Sequence, residues 1–497
     1  MKRLRRLILG LYPAGFLAAY VLLSFSATPT PMHGLWRPLA VAVLSTVALQ
    51  LLLSGILRSW TRAALLTSVL VVISAAAWLI LAVAAVIAAW WAAVGLQRRR
   101  AGRPPLSVRP DRVSETLRVF AIAFVAVAAV PVVGWWVASA NLSTAAASSA
   151  SRAGGPDIVV LLLDGYPRAD ALLEQFGVDN RPFEAALADR GFRVSADSRS
   201  NYTATWATLA SMTSLRYLDE VESLTPPPAD PAEQYRRLMF AINRGEALGE
   251  LRARGYELIT VPSPFESASL VAADRYLDGG HLTSFELSLV QHSMAGSILL
   301  SLQPDLFFEA HRARISDAFD TMAAVMEAPS GHPRFVFAHV LAPHAPTVFE
   351  ADGSPADPFD CFPGCTPWAF TERAQWEGFP PQVEHVNSLV LATVDRIVAA
   401  APDAAIVVMS DHGSHVPGSD QANVFRTLFA ARTPGWAAGL QDASPVNLFP
   451  QLFNAYMGTE FELRPYRSWI SQGEAPLTMT PVAMDDEGAS TLHARDR

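Results

Sequence analysis

Hydrophobic positions along this chain follow two different patterns, and the change falls near residue 140. Before it, apolar runs are long and almost free of charge: Leu7 to Phe25, Pro38 to Ile56, Ala63 to Leu96 and Val119 to Val137. About 20 apolar residues cross ~30 Å of hydrocarbon as a helix. The first, second and last runs fit that length. The third would be about 50 Å long as one helix, so it is expected to fold back as two short helices, 63–78 and 80–96. The N-terminal part then reads as a transmembrane domain of about five helices, residues 1–138. An Ala/Ser/Gly-rich stretch, 139–155, has no hydrophobic period and reads as a flexible linker.

After the linker the apolar runs shorten and alternate with helical periodicity. Six aliphatic residues in a row, Ile158 to Leu163, predict a strand buried on both faces, as in a parallel sheet. Further strands are expected at 256–261, 334–341, 404–409 and 423–431. Helices are expected between them at 182–190, 204–215, 231–254, 285–302, 310–327, 382–401 and 445–457. Such alternation predicts an α/β fold with a mainly parallel sheet sandwiched by helices. That domain is placed at 156–460, with a polar C-terminal extension at 461–497.

Charge gives the chain a direction. The protein has 38 Lys and Arg against 46 Asp and Glu, and 51% of its residues are hydrophobic. Residues 1–119 carry 14 Lys and Arg and only two acids, Asp111 and Glu115, so the remainder is strongly acidic. Positive residues stay in the cytoplasm. With Lys2 to Arg6 inside, five spans also keep Arg58, Arg62 and the cluster Arg98, Arg99, Arg100 and Arg103 inside. Only Arg37 then falls on the outer side. The N-terminus is therefore expected in the cytoplasm, and everything after the linker outside a cell membrane. A four-span arrangement would put the arginine cluster outside. The acidic external part excludes nucleic acid, whose phosphates demand a basic face. A transport role is disfavoured, because the spans carry no intramembrane charge. Lys2 is the only lysine, which excludes lysine covalent chemistry.

Chemistry gathers at strand ends. In open α/β sheets, ligands bind beyond the carboxyl ends of the strands. Asp164 follows the first predicted strand. His339 and His344 lie in and after the third, in Phe335-Val336-Phe337-Ala338-His339-Val340-Leu341-Ala342-Pro343-His344-Ala345-Pro346. Asp411 and His412 follow the fourth, in Ser410-Asp411-His412-Gly413. Taken singly, an Asp-Gly is often a turn, and a lone His is usually structural. Carboxylates and imidazoles at three strand ends are a donor set for one divalent metal, Mn²⁺ or Zn²⁺, with Mg²⁺ or Ca²⁺ as alternatives. A second metal would need more ligands, and only Asp420 lies nearby. Thr203, Thr205 and Thr208 sit where a polar loop enters an apolar helix. A Thr there can cap the helix, or serve as a nucleophile beside an anion held by the helix amides. Spacing alone does not separate the three. Cys361 and Cys365, the only cysteines, flank a Phe-Pro-Gly turn; outside the cell they are expected to form a small-loop disulfide.

Leu163-Asp164-Gly165, the Thr-rich loop and helix, His339-x-x-x-Pro343-His344-x-Pro346 and Ser410-Asp411-His412-Gly413 together resemble the alkaline phosphatase/sulfatase superfamily, over roughly residues 156–460. With five spans in front, the chain further resembles lipoteichoic acid synthases and lipid A phosphoethanolamine transferases. The resemblance implies metal ligation by Asp164, Thr205, Asp411 and His412, with Thr205 as the nucleophile. It implies substrate-phosphate contacts from His344 and His339, with Arg168 and His415 as further anion-binding candidates. The departures are specific. Thr205-Trp206-Ala207-Thr208-Leu209 lacks the Cys or Ser, the Pro and the Arg of the sulfatase formylglycine motif. Asp164 stands where the transferases usually carry Glu.

The expected function is a membrane-anchored, metal-dependent phosphotransferase or phosphodiesterase acting on lipid or cell-envelope phosphodiesters. The alternatives are a sulfatase-type hydrolase of sulfate or phosphate monoesters, and a catalytically degenerate envelope scaffold or sensor. The expected partner is a membrane lipid or an envelope glycan.

Overall fold

The computed structural model describes residues 10–28, 30–72, 110–143, 155–303, 305–356, 372–416, 421–473 and 475–482. Cys361, Cys365, Arg98 to Arg103, Asp420, most of the linker and the expected fourth span lie outside them. The chain divides into two units. One comprises residues 1–140 together with 283–303, and the other comprises 141–282 and 304–497.

In the first unit the apolar runs form helices at Tyr12–Ser26, Trp36–Leu57, Trp60–Val72 and Pro110–Ser143. Among the described residues, two stretches are helical, long and apolar enough to cross a membrane, Met32–Leu57 and Arg112–Val137. Their side chains largely face outward: Val41, Leu44, Ile122, Val127 and Val130 are all more than half exposed. A narrow seam holds the helices together, built from Ala19, Phe25, Leu35, Ala42, Ala128 and Val132. Arg37, the one cation on the outer side of the expected topology, forms an ion pair with Glu286.

The second unit is a seven-stranded sheet in the order β2-β7-β6-β1-β5-β3-β4, covered by helices. The strands are β1 (Ile158–Leu163), β2 (Arg193–Val194), β3 (Glu257–Val261), β4 (Arg275–Tyr276), β5 (Arg334–Val340), β6 (Ala405–Ser410) and β7 (Phe429–Arg432). β6, β1, β5, β3 and β4 run parallel, and β7 is antiparallel to both its neighbours. β1 lies at the centre, and all six of its residues are buried. Its alternate side chains enter two separate cores. Ile158, Val160 and Leu162 pack on one face, and Val159, Leu161 and Leu163 on the other. This accounts for the unbroken aliphatic run, since a strand covered on both faces has no polar side.

Several expected elements change in detail. The strand expected over 423–431 is confined to 429–432, because 421–424 winds into a 3-10 turn. The helix expected over 231–254 is two helices, Pro231–Arg244 and Glu246–Ala253, interrupted at Gly245. The one expected over 285–302 is also two, Ser284–Gln291 and Met294–Leu302. The expected C-terminal extension contains an antiparallel hairpin, β8 (Ser468–Gln472) and β9 (Ala475–Val482), whose Trp469 stacks on Tyr202 at 5.1 Å.

Candidate active site

Register brings the polar residues together. Leu163 is level with Ser410 on one side and Val340 on the other, so Asp164 and Asp411 leave the sheet side by side. Side chains alternate along a strand. Asp164 therefore shares a face with Leu162, Asp411 with Met409, and His339 is paired with Leu162. Leu162 and Met409 belong to the core that also receives Leu209, Ala210 and Met212 of the Thr205–Ser214 helix. The carboxylates, His339 and the start of that helix thus meet on one face, at the carboxyl edge of the central strands.

The turn after β1 makes this edge compact. Gly165 adopts φ +70°, the left-handed region where a side chain is costly. Its N–H donates to Asp411 Oδ1 at 3.1 Å, and the next amide, of Tyr166, donates to Ser410 Oγ at 2.8 Å. The His412 amide also donates to Asp411 Oδ1, at 3.0 Å. Asp411 therefore turns one oxygen to the backbone and keeps the other, Oδ2, buried without a hydrogen-bond partner. Asp164 does the same. Its Oδ2 lies 3.1 Å from His339 Nε2, while its Oδ1 is buried and unbonded. Burial pushes the Asp164 carboxyl upward, but the surrounding His344, His339 and His412 outweigh it and hold the group below the usual carboxylate range.

His412 faces both acids, with Nε2 3.4 Å from Asp411 Oδ2 and 3.6 Å from Asp164 Oδ1. Its Nδ1 lies 2.7 Å from the Gly413 carbonyl and so carries the hydrogen there. In the neutral ring Nε2 then presents its lone pair to the site. Burial lowers the affinity of this imidazole for a proton; Asp411 and Asp164 outweigh that and raise it above the ordinary histidine value.

The three threonines separate here. Thr203 Oγ1 accepts the Ser471 amide at 3.0 Å, which ties it to the C-terminal hairpin. Thr208 donates to the Asp411 carbonyl at 3.1 Å and braces the loop. Thr205, buried as the first residue of its helix, places Oγ1 3.4 Å from His412 Nε2. His344 stands at the rim, half-buried, with its ring 6.3 Å from that of His412. Its Nδ1 is bonded to the Ala345 carbonyl at 2.7 Å. His415 lies on the solvent side. It bonds the Thr203 carbonyl at 2.7 Å, with its ring 4.4 Å from that of His412. The Arg168 guanidinium is held by Asp170, through two contacts at 2.7 Å, and by the Ser198 carbonyl at 2.9 Å.

The donor set fits a divalent cation. Asp164 Oδ1 and Asp411 Oδ2 are buried with no hydrogen-bond partner among the described residues, and such an oxygen is costly unless a cation or proton joins it. Asp164, His339 and Asp411 each offer a ligand atom, all within 4.8 Å of one another. The family resemblance implied a substrate-phosphate contact for His339. Its place beside the carboxylates follows from its register with Leu162, which only the folded sheet reveals.

No protein-family model matches the chain, and no curated protein sequence matches it. Among solved structures the chain is similar to the C-terminal periplasmic domain of EcEptC from Escherichia coli. That likeness is at 13% identity and TM-score 0.40, over 66% of this chain and 92% of that one. It is also similar to the integral membrane lipooligosaccharide phosphoethanolamine transferase A of Neisseria meningitidis, at 13% identity and TM-score 0.37, over 78% and 67% of the two chains. A third likeness is to BT1596, a 2-O glycosaminoglycan sulfatase, at 13% identity and TM-score 0.35, over 61% and 70%.

Proposed function

We propose that this protein is a membrane-anchored, metal-dependent phosphotransferase or phosphodiesterase that acts on lipid or cell-envelope phosphodiesters through Thr205. One observation carries the reading. The Thr205 hydroxyl lies 3.4 Å from His412 Nε2, beside two buried carboxylate oxygens without hydrogen-bond partners among the described residues. An alcohol so placed, next to an acceptor for its proton, is an activated nucleophile.

Thr205 attacks phosphorus as its proton passes toward His412 Nε2. The alcohol of the donor departs, and the phosphoryl group stays on Thr205 Oγ1. An acceptor hydroxyl, or water, then attacks that phosphorus and regenerates the threonine. The amides at the start of the Thr205–Ser214 helix would favour the charge of this phosphate. His344, whose Nε2 remains available at the rim, contacts the non-bridging oxygens. A divalent cation held by Asp164, Asp411 and His339 would stabilise charge on the phosphoryl oxygens and lower the hydroxyl pKa. The same chemistry disfavours sulfate monoesters, since position 205 carries no residue that can become formylglycine.

The test uses the purified full chain, a phospholipid donor and a chromogenic phosphodiester. Thr205→Ala lowers turnover by roughly 10³-fold or more, while Thr203→Ala stays within about tenfold, the size of one lost positioning contact. Elemental analysis finds about one Mn or Zn per chain, and Asp411→Asn loses it. Undiminished turnover in Thr205→Ala overturns the nucleophile; a metal-free wild-type chain favours the scaffold reading.

A further inference from the structure

Residues 283–303 belong to the first unit, although the chain on both sides of them belongs to the second. The segment is a pair of short helices. The first, Ser284–Gln291, opens with a full capping box between Thr283 and Glu286. Its Phe285 meets Phe25 edge-on at 5.6 Å, its Leu289 packs on the seam of the apolar helices, and Glu286 pairs with Arg37.

The second helix is Met294–Leu302, capped by Ser293 through the Gly296 amide at 2.9 Å. Gly296 lies so close to the Val290 carbonyl that any Cβ would collide with it, so the two helices fold back tightly. The sequence Met-Ala-Gly-Ser-Ile-Leu-Leu-Ser-Leu has no ionisable side chain. Met294, Ile298 and Leu302 recur every fourth residue, so with Leu299 they form one stripe along the helix. All four are exposed, Leu302 by 75%. Water is a poor neighbour for such a stripe.

Depth comes from Arg37 and Trp36. They are the first two residues of the Trp36–Leu57 helix, and Trp36 is 62% exposed. Trp at the end of an apolar span marks the headgroup level. The ion pair with Arg37 therefore holds the Ser284–Gln291 helix at that level. The Met294–Leu302 helix is about 14 Å long and too short to span. A chargeless stripe on a short helix at headgroup depth suits the boundary between headgroups and acyl chains.

We propose that the Met294–Leu302 helix lies flat in the membrane, at the face where the Trp36–Leu57 helix begins, with Met294, Ile298, Leu299 and Leu302 against the acyl chains. The inference rests on the membrane reading of the first unit, and its test separates the two.

Nitroxide labels are placed at Ile298→Cys and Leu302→Cys in the full chain, with Cys361→Ser and Cys365→Ser. Two reference labels are made in the same background, Leu44→Cys on the Trp36–Leu57 helix and Leu173→Cys on the second unit. The protein is reconstituted into vesicles of phosphatidylethanolamine and phosphatidylglycerol, and relaxation by oxygen is compared with relaxation by a water-soluble nickel chelate. The expected result is oxygen dominance at 298 and 302, several-fold above that at 173 and approaching that at 44. Nickel access at 298 and 302 equal to that at 173, with 44 still protected, overturns this proposal alone. Nickel access at 44 overturns the membrane reading and the proposal together. Spin–spin broadening at 298 or 302 assigns the stripe to a second copy and overturns it too. A benzoylphenylalanine at position 298, with both cysteines kept, gives a second readout: crosslinking to lipid supports the proposal, and crosslinking to protein alone rejects it.

Discussion

Gly165 decides whether two acids can share one site. Its positive φ turns the chain so that its own N–H reaches Asp411 Oδ1 directly after Asp164 leaves the strand. A Cβ there would meet His344 at an ordinary 3.5 Å, so the penalty for a side chain is one of backbone conformation. Gly165→Ala should cost roughly 1–2 kcal/mol, seen as a lower thermal midpoint, and should weaken metal binding as the turn relaxes. A second residue-scale effect concerns acid. Asp170 accepts from both Arg168 and Arg426. Partial burial pushes its carboxyl up; the two guanidiniums outweigh that and pull it down to about 2. An unfolded Asp titrates near 3.9, so the folded state binds fewer protons. The stability this group supplies is complete above about pH 4 and lost as pH falls toward 2. Asp170→Asn should be less stable at neutral pH and should lose stability less steeply over that interval, so that the two unfolding curves converge in acid. Half-exposure of the carboxylate keeps the difference small.

At the scale of elements, what the sequence revealed depended on whether one pattern settled the structure. β1, β5 and β6 are apolar runs buried on both faces, and their period leaves no other assignment. Two-residue strands such as β2 and β4 are too short for any period to show. The hairpin of β8 and β9 was hidden for a different reason. It is held by Trp469, which stacks on Tyr202 and packs at a tilt against Tyr217, partners more than 200 positions away. The helix expected over 231–254 breaks at Gly245, whose backbone leaves the helix at ψ 146° where it packs against Thr213 too closely for any Cβ, a tertiary contact. The candidate site divides in the same way. Asp164, Asp411 and His412 are legible as carboxylates and imidazole at strand ends. The separate duties of Thr203, Thr205 and Thr208 are set by Ser471, His412 and the Asp411 carbonyl, none of which is nearby in sequence.

At the scale of the whole molecule, the charge distribution of the sequence predicts an orientation. The five spans expected from the sequence, with the N-terminus inside, would place the C-terminus outside. A periplasmic alkaline phosphatase reporter fused after Arg497 should be active in cells, and a fluorescent protein that folds only in the cytoplasm should be dark when fused there. The reverse pair of results would require an even number of spans.

The excursion of residues 283–303 has one more consequence, for release of the second unit. The polypeptide passes between the two units three times, near residues 140, 283 and 303. A protease that cuts once between 141 and 155 would sever only the first crossing. The fragment it leaves still carries Phe285 locked on Phe25 and Glu286 on Arg37. Shedding of the second unit into the medium would require a further cut on each side of the helix pair, so one scission leaves it moored.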